Sequence, residues 1–121
     1  MRSHEFDNKQ TAVRYFSRRP EVVGRLDVGD YTLFLDEHLL DQAHERKVDD
    51  FVIQEVIPKI PRAKAKIRLL GAGQHFWLYD NTNHIALGVQ LLHEQHKILI
   101  VRTVWNGMPG SDAVYPIFHV A

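Results

Sequence analysis

His38, Gln42 and Arg46 recur at every fourth residue of the segment His38-Leu39-Leu40-Asp41-Gln42-Ala43-His44-Glu45-Arg46-Lys47. On a helix turning about 100° per residue they form one polar stripe beside an apolar one. An imidazole can give and take a proton near neutral pH, and a guanidinium can hold a phosphate as negative charge grows on it. The pair suits RNA cleavage. His44 lies about 120° around the helix from His38 and does not easily join it in one site. Arg46 shares the side of His38, which favours His38. The plainer alternative is a solvated helix face.

Two further regions bear on the same chemistry. Lys59, Arg62, Lys64, Lys66 and Arg68 lie in a stretch without an acid before Asp80, whereas seven acids stand between Asp36 and Glu55 against Arg46 and Lys47. If Lys64 to Leu70 is a strand, alternation sets Lys64, Lys66 and Arg68 on one face, across which a phosphate backbone can lie. Lysines guarding an edge strand would read the same way. In the segment Lys97 to Trp105, alternation sends Ile98, Ile100, Arg102 and Val104 one way and Leu99, Val101, Thr103 and Trp105 the other. The Thr103 hydroxyl could orient a phosphate or ribose, and Trp105 or Tyr79 could stack on a base. Each is equally at home as an ordinary sheet residue.

The eight histidines invite a metal reading at His93-Glu94-Gln95-His96. No further ligand is fixed by the sequence, so this is read as a solvated turn and no metal is assigned. His75 and His84 begin strands; either could serve as a second proton-transfer group. The chain has no cysteine, which excludes disulfides, thiolate nucleophiles and Cys-ligated zinc. No cofactor is expected.

These residues need a scaffold. A chain of 121 residues with 45% hydrophobic and 25% charged residues can build one core. Its net charge of zero gives no global attraction to nucleic acid. Apolar runs such as Ile98 to Val101 fall far short of the ~20 residues that span a bilayer. The expectation is an intracellular, cytoplasmic protein with no membrane contact.

Ala12, Val13 and Phe16 predict a helix over Asn8 to Phe16, and Pro20 and Gly24 interrupt it. Tyr31 to Leu35 reads as a strand. Leu39, Leu40 and Ala43 predict a helix from Asp36 to near Lys47. Val52, Ile53, Val56, Ile57 and Ile60 predict another, capped by Asp49 or Asp50 and limited by Pro58 and Pro61. Lys64 to Leu70, His75 to Tyr79, His84 to Leu92, Lys97 to Trp105 and Val114 to Val120 read as strands joined by short turns. The expected fold is α+β, with N-terminal helices packed on a four- to five-stranded antiparallel sheet. Residues 1–121 form one domain, with 1–29 as a helical extension and 30–121 as the helix pair plus sheet.

The stretch His38 to Val48, followed by Asp49-Asp50 and a second apolar helix ending at Pro58, resembles the ribonuclease superfamily of barnase, EndoU, colicin-type tRNases and RelE-like toxins. So does the strand Ile98 to Trp105, which closes on a hydroxyl residue and an aromatic one. The resemblance covers roughly residues 30 to 106. It implies a toxin-like or phage-encoded, metal-independent endoribonuclease in which the ribose 2′-hydroxyl attacks the adjacent phosphate to leave a cyclic phosphate. By position, His38 would be the acid/base, Arg46 the phosphate clamp and Thr103 the orienting hydroxyl, with Lys64, Lys66, Arg68 and Trp105 binding RNA. The implied partners are tRNA, mRNA or ribosome-bound RNA, and an antitoxin or immunity protein. The competing expectation is a non-catalytic module of the same fold that binds protein or RNA.

Overall fold

Asn8 starts the first helix, its side-chain oxygen accepting from the Thr11 amide at 2.9 Å, the role an N-cap asparagine fills well. In the computed structural model, which describes residues 6–47, 49–110 and 114–121, this helix is α1 (Lys9–Ser17). Strands β1 (Val22–Val28) and β2 (Tyr31–Asp36) follow, joined by a turn in which Gly29 takes a φ of 60° that costs glycine little. Asp36 ends β2 and caps α2 (Glu37–Glu45) by accepting from the His38 amide at 2.9 Å.

The next helical stretch changes pitch three times. A turn of α-helix, α3 (Asp49–Phe51), widens into a π-helix (Val52–Val56), tightens into a 3₁₀-helix (Ile57–Ala63), and closes as α4 (Lys64–Ile67). Pro58 and Pro61 explain this. Each lacks a donor and its ring clashes with the carbonyl four residues back, so a regular α-helix cannot run through them. Ile67, fully packed, follows Ala63 by one helical turn, and both face the core. The expected strand from Lys64 to Leu70 is therefore helical at its start; the alternation of basic residues concealed an i, i+4 apolar pair.

Strands β3 (His75–Asp80), β4 (Ile85–His93), β5 (Ile98–Asn106) and β6 (Ile117–Val120) complete a six-stranded sheet in the order β1-β2-β5-β4-β3-β6. Only part of it is antiparallel. β2 runs parallel to β5 and β3 parallel to β6, so the sheet is mixed rather than a four- to five-stranded antiparallel one. Parallel neighbours come from long crossovers, which hairpin-like loop spacing does not reveal. The segment 1–29 is likewise more than a helical extension, since β1 belongs to the sheet. Its alternating exposure, with Val22, Gly24, Leu26 and Val28 half-buried and the residues between them less covered, is the period-two signal of a half-buried strand.

Each face of the sheet has its own apolar cluster. On one, Leu33, Leu35, Phe76, Leu78, Leu87, Val89, Leu99 and Val101 pack with Leu39 and Ala43 of α2 and with Val56, Ile57, Ile60 and Ile67 of the helical stretch. On the other, Ala12, Val13 and Phe16 of α1 cover Phe34, Leu92, Ile98 and Ile100. That second cluster includes no residue of β3 or β6 among the described residues, so α1 roofs only one end of its face. A buried carboxylate, Asp80, ties the β3–β4 turn: it accepts from Lys59 at 2.9 Å, from the Asn83 side chain at 2.7 Å and from the Thr82 amide at 3.0 Å. Burial pushes the Asp80 carboxyl up, but the bonds from Lys59 and the turn outweigh it and hold it below the usual range. Among the described residues no helix is long and apolar enough to cross a membrane.

Candidate functional site

β5 loses a neighbour halfway along. β2 pairs with it from Ile98 to Val101, and then the chain leaves the sheet as α2, which lies against the rest of β5. The Val104 amide, left without a strand on that side, donates to the Gln42 side-chain oxygen at 3.1 Å. The Thr103 hydroxyl donates to the same oxygen. One turn further along α2, the Arg46 guanidinium lies over the Trp105 ring at 5.3 Å, a cation–π contact. The polar stripe of α2 thus faces β5, and helix and strand run in step: residue 42 meets 103 and 104, and residue 46 meets 105.

A β-bulge sets what β5 presents. Val89 pairs with Val101 but Gly88 pairs with Thr103, so Arg102 is an extra residue. A bulge of this kind breaks the strict alternation of side chains. Val104 consequently joins Leu99 and Val101 in the core, while Arg102 and Thr103 both reach the face that α1 partly roofs. The expected split, with Arg102 and Val104 on one side and Thr103 on the other, is corrected by that one residue.

Arg102 is the charged centre of this face. Its Nη1 donates to Asp36 at 2.7 Å and to Glu21 at 3.4 Å, and its Nε donates to the Gln90 oxygen at 2.9 Å. The Asp36 carboxylate therefore holds the His38 amide with one oxygen and Arg102 with the other. A bond from its own backbone amide, opposed by burial and aided by Arg102, lowers the Glu21 carboxyl. His75, cross-strand from Gln90, has its imidazole pKa lowered by burial and then by the charge of Arg102. Tyr115 stacks on His75 with centroids 4.8 Å apart and planes 19° apart.

Arg46, Thr103 and Trp105 are thus brought together by α2 and β5. His38 is exposed one turn before Gln42 on the same stripe, with its backbone tied to Arg102 through Asp36. Lys64, Lys66 and Arg68 do not form the expected row on a strand. They are exposed on and just after α4, whose Ile67 packs into the opposite core, and Lys66 Nζ sits 5.9 Å from the Phe118 ring of β6. Tyr79 is buried and bonded to His84 at 2.9 Å, so it has little free face for a base. The turn after His93 is solvated at Glu94 and Gln95, but the histidines flanking it are packed: His93, the last residue of β4, is buried, stacks on His96 at 5.0 Å and meets the Phe6 ring at 5.3 Å. Among the described residues no three His, Asp or Glu side chains gather as metal ligands would.

Sequence reasoning passed over Arg102, Asp36, Glu21 and Gln90 as a group. The available signal was a lone arginine directly after the apolar run Ile98 to Val101. A separate groove of about 780 Å³ between α1 and the β1–β2 hairpin is lined by Lys9, Arg14, Arg25, Asp27 and Tyr31 among others. Several of its charges are turned on one another, Arg25 on Asp27 at 3.1 Å and Lys9 on the Asp30 carbonyl, and it contains none of the residues singled out for chemistry. The side-chain cluster at the α2–β5 seam is the better candidate for a reaction site, because it gathers Gln42, Arg46, Thr103 and Trp105 beside Arg102, with His38 exposed one turn earlier on the same helix. Comparison with protein-family models, curated proteins and solved structures found no match to this chain.

Proposed function

We propose that the protein is a metal-independent endoribonuclease, toxin-like or phage-encoded, whose site is the α2–β5 seam. The supporting observation is the register of α2 on β5, which sets Gln42 on Thr103 and Arg46 on Trp105. In this reading His38 exchanges the proton as the 2′-hydroxyl attacks and the 5′-oxygen leaves. Arg46 stabilises the charge that grows on the phosphate, an electrostatic task suited to a preorganised guanidinium. Thr103, whose hydroxyl donates to Gln42, orients the ribose by accepting from a ribose hydroxyl with its remaining lone pairs, and Trp105 offers the ring face that Arg46 leaves open. The RNA would be tRNA, mRNA or a ribosome-bound strand, and an antitoxin or immunity protein would restrain the activity.

Purified protein in EDTA is expected to cut RNA to 2′,3′-cyclic ends, and His38→Ala to slow cleavage by about 100-fold or more, the scale of a lost general acid/base. Absence of cleavage across tRNA, mRNA and ribosome substrates would end this reading. A second reading, a non-catalytic binding module, draws on the ties already present in the seam: Arg102 is held by two carboxylates and the Thr103 hydroxyl is committed to Gln42. It predicts a stoichiometric protein complex, unaffected by His38→Ala and lost when the charges at Lys64 and Lys66 are reversed.

A further inference from the structure

The cross-strand register lays out three rows on the face that holds Arg102. Arg102 meets Gln90, which pairs with His75, and His75 carries Tyr115. Thr103 pairs with Gly88, Gly88 with Trp77 and Trp77 with Ile117. Trp105 pairs with Ala86, Ala86 with Tyr79 and Tyr79 with His119. The β4 column is small or polar, the β3 column beside it carries the rings of His75, Trp77 and the buried Tyr79, and the β5 column adds Trp105 at its end. Gly88 has a specific role here, since a β-carbon would press into the Thr103 methyl and touch the Trp77 ring. Trp77 and Thr103 therefore close over the glycine and make a low surface instead of a trench.

We propose that this aromatic surface, beyond the roof of α1, is a stacking platform for unpaired nucleotides of the RNA that the α2–β5 seam is proposed to cleave; it rests on that reading. Tyr115 is 44% exposed and Trp105 47% exposed, so the platform has open ring faces at both ends. It is continuous with the seam, because Thr103 and Trp105 belong to both. β3 and β5 are two strand spacings apart, about 10 Å, so a strand crossing the sheet would carry its scissile phosphate at β5 and a neighbouring base over β3.

The chemistry favours a single strand. Bases in a duplex are stacked on each other and offer edges, whereas splayed bases stack on aromatic side chains. Glu21 and Asp36 occupy Arg102, and burial and then the charge of Arg102 favour the neutral form of His75. Ring contact, not phosphate charge, would thus hold the base, giving a platform tolerant of sequence.

The test uses the full chain and a short 2′-O-methyl RNA, which binds but cannot be cut, read by tryptophan fluorescence. The single strand should bind and the same sequence in a duplex should not. Tyr115→Ala should weaken binding about 5- to 100-fold, the range for one lost stacking ring, and Tyr115→Phe should restore it. Because Tyr115 is exposed, both variants should melt as the wild type does. Equal binding by wild type and Tyr115→Ala, or equal binding of duplex, would overturn the platform while wild-type cleavage left the nuclease standing. If the wild type neither cuts nor binds RNA, the nuclease reading falls and the platform with it.

Discussion

The two halves of β5 are one strand in two environments. From Ile98 to Val101 it lies between β2 and β4, and its residues are fully buried, Ile98 and Ile100 beneath α1 and Leu99 and Val101 against the helical stretch. From Arg102 to Asn106 it keeps β4 but exchanges β2 for the side of a helix, and a bulge turns two polar residues to one face. Apolar packing on both faces holds the first half, whereas the second keeps Val104 in the core and is otherwise held by named hydrogen bonds. A reactive surface can form only where the strand is both supported and uncovered, which is the condition of the second half.

The comparison can be broken most forcefully from the packed side. Ile100→Ala removes a fully buried side chain and should cost about 2–5 kcal/mol of stability by chemical denaturation. A cost below 1 kcal/mol would show that the first half is not held by packing. Gln42→Leu leaves the Val104 amide and the Thr103 hydroxyl without their acceptor and should cost about 1–3 kcal/mol. Faster hydrogen exchange at Val104 should accompany it, and unchanged protection there would deny that the helix stands in for a strand.

Gly88→Ala forces Thr103 away from Gln42 and should cost about 1–3 kcal/mol as an overpacking change. Adding Thr103→Ser, which deletes the obstructing methyl and keeps the hydroxyl, should recover most of it; failure to recover would place the strain elsewhere. The smallest effect is in pH. The folded-state pKa of His75 lies below its unfolded value, so its contribution is fully present above about pH 6.5 and is lost as pH falls through the folded pKa. His75→Gln should flatten that part of the stability profile, and an identical acid slope in wild type and variant would remove His75 from the account.

What the sequence made legible follows the same division. The apolar stretch of β5, the helix over Asn8 to Phe16 and the stripe on α2 were all readable, because local periodicity suffices for them. The bulge at Arg102 was not, since it exists only in the pairing with β4 and leaves no mark in the residue pattern of β5 alone. The departure of β2 was hidden for a related reason: a parallel pair between Thr32 and Ile98 depends on contacts across more than sixty positions. At Lys64 to Arg68, charge alternation suggested a strand where the burial of Ala63 and Ile67 dictates a helical turn. The stripe residues and their partners Thr103 and Trp105 were therefore found, while the cluster of Arg102 with Asp36, Glu21 and Gln90 was missed.

Asp36 gives the site a mechanical property. One carboxylate steadies the first turn of α2 and restrains the Arg102 guanidinium, a tie between helix and sheet beside those of Gln42 and Arg46. An anion drawing Arg102 toward itself would free one oxygen of the carboxylate whose other oxygen caps the start of α2. The cap of the helix and the restraint of the arginine thus rest on the two oxygens of one side chain.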